Sequence, residues 1–283
     1  MISPIILIKM NTYKSTLKKL SFIAISSLLL ISCDDDDDAV QVQVNENATF
    51  QPTINLTQFV DGDALAMNTT DFRYTNAMSQ RYNVTKLQYL ISHVTFNKAD
   101  GSEFIIDEYH YIDLADPSTT TFIPETKVPQ GDYTSISFTF GFDEEHNITG
   151  AYTDLNTVGW NWPTSTNTMF GDLGGGYHFM RLEGDFLDSS GNVAQYRHHM
   201  GTARNTSTTP FTFTPNHFDA QLANSAISIN ADFSFDIEMN IEEWYQNPTN
   251  WDLNVYNAPI MPVYGAQRLL NANGPSVFTV KLN

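Results

Sequence analysis

The chain has 283 residues and a formal net charge of −18 at pH 7, with 14 basic against 32 acidic side chains. A surface of that sign repels phosphate backbones and attracts cations, which argues against a nucleic-acid partner. A single cysteine excludes an intrachain disulfide, so stability has to come from a core, and the length is sufficient to build one.

Residues 1–32 read as a lipoprotein signal peptide. Lys14, Lys18 and Lys19 precede the apolar run 20–31, which is too short to span a bilayer as a helix. Leu30-Ile31-Ser32-Cys33 fits a lipobox, in which the cysteine is lipidated and becomes the first residue of the mature chain. A lipid on Cys33 would anchor the protein to a membrane without the chain crossing it, and would leave no free thiol. Residues 33–47 are then the lipidated cysteine and an acidic, flexible tether, because Asp34 to Asp38 repel one another and stay solvated. Acids directly after a lipidated cysteine resemble the signal that sends lipoproteins to the cell surface in some Gram-negative bacteria, although a plain soluble spacer has the same composition. The expected location is the outer membrane or cell surface. Loss of residues 1–32 removes four lysines and no acid, leaving ten basic against 32 acidic residues and a mature charge of −22.

Residues 48–283 read as one all-β domain, an antiparallel β-sandwich or partly closed barrel with one or two short helices near the C-terminus. Strands are expected over 48–59, 84–96, 104–114 and 133–142, and the run Ile136-Ser137-Phe138-Thr139-Phe140 alternates as a half-buried strand does. Residues 176–187 and 193–200, joined by Asp188-Ser189-Ser190-Gly191-Asn192, form a hairpin pattern. Further strands are expected over 211–214, 226–235 and 277–282, and helices over 241–245 and 264–271.

No G-x-S-x-G, H-E-x-x-H, P-loop or dinucleotide-binding pattern occurs, so a binding protein is expected and not an enzyme. Histidines are the informative set. Three of the seven, His178, His198 and His199, lie in the hairpin, with Met180 and Met200 beside them. Imidazole and thioether together suit copper better than magnesium or calcium. By strand alternation His178 and Met180 share a face; a two-residue turn brings His199 to it, a three-residue turn brings His198 and Met200. Trp160 and Trp162 lie just upstream, either as a plug over the end of the sandwich or as a loop that binds a ligand. His93 reads as a core or edge histidine, and the acids at 143–145 read as solvated charge.

The order of segments resembles the MbnP-like copper-binding proteins, a group of exported β-rich proteins, from about residue 48 to residue 282. The resemblance rests on Leu87-Gln88-Tyr89-Leu90-Ile91-Ser92, on Gly131-Asp132-Tyr133, and on Gly141-Phe142-Asp143 before Asn147. It is richest at Gly174-Gly175-Gly176-Tyr177-His178-Phe179-Met180 and in the aromatic-x-x-His-x-Gly pattern from Tyr196 to Gly201, which selects His199. Residues 239–248 and 260–274 complete it. Members often carry tryptophans just before the Gly-Tyr pair, where this chain has Met169-Phe170-Gly171-Asp172-Leu173 and places its tryptophans earlier.

The resemblance implies extracytoplasmic copper binding for acquisition or buffering, without turnover. It implies His178 and His199 as ligands; the hairpin pattern adds Met180 as a third, with His198, Trp160 or Trp162 adjacent. It further implies a partner dihaem enzyme, which in the methane-oxidiser members converts a tryptophan to kynurenine, here Trp162 by position. The alternative is a surface lipoprotein that has lost the copper site and binds glycan or a protein through the Trp160/Trp162 loop.

Overall fold

The computed structural model describes residues 48–257 and 259–283. The signal peptide, Cys33 and the acidic tether lie outside the described residues. Among those described, no helix is long and apolar enough to cross a membrane.

The longer strands are β1 (Pro52–Val60), β2 (Lys86–Asn97), β3 (Glu103–Asp113), β4 (Ser135–Phe140), β5 (Met180–Leu187), β6 (Val193–Met200), β7 (Phe218–Leu222), β8 (Phe233–Asn240) and β9 (Phe278–Leu282). Two helices accompany them, the single-turn α1 (Thr153–Thr157) and the C-terminal α2 (Tyr264–Asn273). The larger sheet runs β7–β4–β2–β5, with β3 on the other edge of β2 and β6 on β5. The smaller sheet runs β9–β8–β1. The architecture is all-β, as the alternation predicts, but β1 and β8 pair in parallel, whereas the other strand pairs are antiparallel.

Aromatic side chains from the two sheets meet between them. Phe96 of β2 lies 6.2 Å from Phe235 of β8, and Phe138 and Phe140 of β4 lie 5.0 and 5.4 Å from Phe278 of β9, with edge-on or tilted rings. Packed rings of this kind supply most of the driving force in a β core.

The feature that positions the sites is the length of β2. On one edge it pairs with β3 throughout, and on the other it serves two partners in succession, β5 along Lys86 to Tyr89 and β4 along Ile91 to Asn97. The sheet therefore forks where β4 ends and β5 begins. The loop leaving β4 carries Asp143 and His146, and the segment entering β5 carries Trp160, Trp162 and His178.

Several boundaries differ from the sequence reading. The hairpin's first strand begins only at Met180, because Gly174, Gly175 and Gly176 all take positive φ (100°, 66° and 82°), incompatible with a ladder. The expected strand over 226–235 divides into Ile227–Ile229 and β8, the 241–245 segment is a 3₁₀ turn, and β7 and α1 had no clear sequence signal.

Candidate histidine–tryptophan site

The hairpin is in register with Leu187 opposite Val193, which puts Arg181 opposite His199, Leu182 opposite His198 and Met180 opposite Met200. Directly opposed residues share a face, so the two adjacent histidines of β6 part company. Met180, Met200 and His198 are buried on the core side, while Arg181, Glu183 and His199 lie on the other. The thioether of Met180 is therefore on the wrong side of the sheet to join His199. His198 is likewise committed: its Nε2 lies 2.8 Å from the Tyr256 carbonyl and its Nδ1 3.3 Å from the Tyr245 hydroxyl, and burial depresses it to about 3.

His178 does come to His199. It precedes the regular ladder, its N–H donates to the Trp160 carbonyl (2.9 Å), and the break in alternation before Met180 turns its ring outward. Its ring centroid is 5.4 Å from that of His199, 4.9 Å from Trp162 and 5.3 Å from Trp160. Four side chains singled out by sequence thus form one cluster, drawn from the loop before β5 and from β6.

Each imidazole has one nitrogen tied to an oxygen. His178 Nδ1 is 2.9 Å from the Trp160 carbonyl and His199 Nε2 is 2.9 Å from Glu183 Oε1. Arg181 Nη2 lies 2.6 Å from the Gly159 carbonyl and 3.3 Å from His178 Nδ1; the Trp160 carbonyl, closer to Nδ1 and able only to accept, assigns the His178 proton to Nδ1. That tautomer leaves His178 Nε2 and His199 Nδ1 as the lone-pair nitrogens, the arrangement in which a carbonyl or carboxylate orients a metal-ligating ring. Burial lowers the pKa of both histidines, most of all for His178, where the nearby Arg181 and His199 act in the same direction; both stay neutral at neutral pH. Glu183 is held down at about 2, chiefly by its hydrogen bond with His199.

The donor set fits copper in its reduced state. Two neutral imidazoles suit a borderline-to-soft ion. The Arg181 guanidinium stacked 4.7 Å over Trp160 penalises a dication more than a monocation in so buried a place.

Trp160 and Trp162 are 0% and 1% exposed. Trp162 Nε1 donates to the carbonyls of Leu173 and Thr202 (both 3.0 Å), and Trp160 packs edge-on against Tyr111. Rings enclosed in this way cannot present a stacking face to a glycan, so the loop is a packed wall of the cluster.

A second cluster lies across the fork. His93, Asp107 and His146 each offer a ligand atom within 4.8 Å of the others. Alternation alone reads His93 as a core or edge strand residue, and nothing in the local sequence singles out His146. The missed signal is a change of parity along β2, from Leu87 and Tyr89 to Val94 and Phe96, which marks a bulge at His93.

Comparison with known proteins joins these observations. The MbnP family model matches residues 49–262. The chain belongs to the MbnP family. Among solved structures, MbnP from Methylosinus trichosporium superposes with a TM-score of 0.52 at 13% identity, covering 83% of this chain and 99% of that one. A likeness at that identity speaks for the fold. No curated protein matches the sequence.

Within this MbnP-family chain, the His-x-Gly pattern has a physical reason. A Cβ on Gly201 would sit 2.6 Å from Trp162 Cδ2, so the indole can lie against the strand end only where residue 201 has no side chain. The Gly-Gly-Gly-Tyr-His run is similar: at Gly176 a Cβ would collide with the amide of Asn147, whose Oδ1 accepts from the Tyr177 N–H (2.9 Å). The motif glycines thereby set the entry path that delivers His178.

Proposed function

We propose that this MbnP-family protein is an exported, lipid-anchored copper-binding protein that acquires or buffers Cu(I) outside the cytoplasm, with His178 and His199 as the ligands and no turnover. One observation carries the assignment of residues: two neutral imidazoles, His178 buried and His199 partly buried, with centroids 5.4 Å apart, each oriented by an oxygen on its other nitrogen. Trp160 and Trp162 exclude water around the pair and hold its geometry. When bound, copper would be stored or handed on, and the protein's own part is to present the two nitrogens and to seal them from solvent. Family membership and the acidic surface support the reading, and the leader and Cys33 support export and anchoring.

The test is Cu(I) titration against a chromophoric chelator. Removing partners that merely orient a ligand costs about 10–100-fold in affinity, so removing the ligands should cost at least that. The His178→Ala/His199→Ala double variant should lose Cu(I) affinity by well over about tenfold. A smaller loss would remove these residues from the site.

A further inference from the structure

We propose that His93, His146 and Asp107 form a second, solvent-open site for a divalent transition-metal ion of borderline character, such as Zn(II). It shares no residue with the His178–His199 pair and does not rest on the copper reading.

The backbone is shaped for it. At His93 the register of β2 slips against both neighbours, between Ser92 and Val94 on the β3 side and between Ser137 and Thr139 on the β4 side. His93 is the bulged residue and takes φ 51°, a left-handed conformation that few non-glycine residues adopt. A bulge re-aims a side chain, and here it turns the imidazole toward β3 and the loop after β4. Its ring meets that of His146 at 4.5 Å between centroids.

Two carboxylates bracket the ring pair. Asp143 takes the Nδ1 side of both: Oδ1 is 2.7 Å from His146 Nδ1 and Oδ2 is 3.5 Å from His93 Nδ1. Asp143 is itself fixed by the His146 backbone N–H at 2.9 Å. Asp107 lies on the Nε2 side of both, with Oδ1 3.0 Å from His93 Nε2 and 3.9 Å from His146 Nε2. Asp143 therefore stands where an outer carboxylate orients metal-ligating histidines, and both Nε2 atoms face the Asp107 oxygen.

The spacing suits a metal. Ligand atoms about 2.0–2.2 Å from a tetrahedral ion lie roughly 3.3–3.6 Å apart; the two Asp107 separations, 3.0 and 3.9 Å, differ from that by a few tenths of an ångström, and the three ligand atoms all lie within 4.8 Å of one another. Two imidazoles and a carboxylate are a borderline donor set, unlike the all-oxygen cage that calcium takes.

The surroundings point the same way. The cluster sits where two grooves meet, of about 590 and 420 Å³, and neither is lined by a lysine or arginine. Asp219 and Glu103 add negative charge to the larger. The His178–His199 pair, by contrast, has the Arg181 guanidinium beside it as well as the Glu183 carboxylate. The groove with no basic lining is the one that favours a dication reached from solvent.

The full chain should be stripped with chelator and titrated calorimetrically with Zn(II), with Ca(II) as control, against four variants. His146→Gln, the double variant His93→Asn/His146→Gln, and Asp107→Asn test the ligands; asparagine tolerates the left-handed backbone, and the Asp107 side chain is 75% exposed, so its loss leaves the core intact. His178→Ala/His199→Ala tests independence. The expected result is one Zn(II) per chain, weakened by about 10–100-fold in Asp107→Asn and lost in the double histidine variant, with no change in His178→Ala/His199→Ala. Absence of Zn(II) uptake by the unmodified chain, uptake unaltered in the double histidine variant or in Asp107→Asn, or a preference for Ca(II) would overturn the proposal. Cu(I) titration of the same variants separates this outcome from failure of the copper reading.

Discussion

His198 and His199 are neighbours in sequence with opposite fates, and the reason lies in one turn of the pleat. His198 points into the core, makes hydrogen bonds with Tyr245 and Tyr256, and acts as a packed polar side chain. His199 points away, and only there can it meet His178. Burial acts on acids as strongly as on imidazoles. Glu242 is 3% exposed, and desolvation, aided by nearby Asp61 and Glu243, pushes its carboxyl up to about 7 against the hydrogen bond that Tyr82 donates to it (3.1 Å). Its ordinary value in the unfolded chain is 4.5. The folded state therefore holds the proton more tightly, and stability falls as pH rises from about 4.5 to about 7, then levels off. The limiting cost is on the order of 3 kcal/mol. Glu242→Gln, which keeps an acceptor for Tyr82, should raise the unfolding midpoint in urea near pH 8 and change it little near pH 4. An equal effect at both would contradict a charged, buried Glu242.

At the scale of elements, strand entry and strand fork do the positioning. Gly201 closes β6 against the Trp162 indole, and Gly201→Ala should force that ring away. The expected cost is about 1–3 kcal/mol of stability, with a change in tryptophan fluorescence, while a silent substitution would show that the contact is slack. The strands of this hairpin and its Asp-Ser-Ser-Gly-Asn turn were legible in the sequence, because alternation and turn chemistry are local properties. The facing of His178 was not. Alternation placed it with Met180, and the chain breaks the pleat between them, a tertiary effect of the glycine run and of the bond from His178 N to Trp160. The gathering of His178, His199, Trp160 and Trp162 was legible only through the family pattern, since nothing in local spacing ties residue 160 to residue 199. The bulge at His93 went unread for the converse reason. Its alternation looked regular at the residue itself, and the parity change on either side of it was passed over. The parallel pairing of β1 with β8 joins segments far apart in sequence, which periodicity cannot report.

At the scale of the molecule, the proposed function has an acidic β-sandwich held by a lipid anchor. On the proposed reading a lipid on Cys33 supplies the attachment. Cys33→Ser should move the protein from the membrane fraction to the soluble extracytoplasmic fraction without altering Cu(I) uptake, and retention in the membrane fraction would point to another means of attachment. Charge is arranged unevenly over the fold, with acids and no lysine or arginine lining the His93–His146 groove, and both a guanidinium and the Glu183 carboxylate against the His178–His199 pair. On the proposed assignments the first would hold a divalent ion and the second Cu(I).

X-ray absorption at the copper edge of the Cu(I)-loaded chain tests the inner site most directly. A reduced, low-coordinate copper with imidazole nitrogen scattering and no sulfur shell is the expected spectrum, because Met180 and Met200 face the core on the other side of the sheet. A sulfur shell, or a spectrum unchanged in the His178→Ala/His199→Ala variant, would place the copper elsewhere.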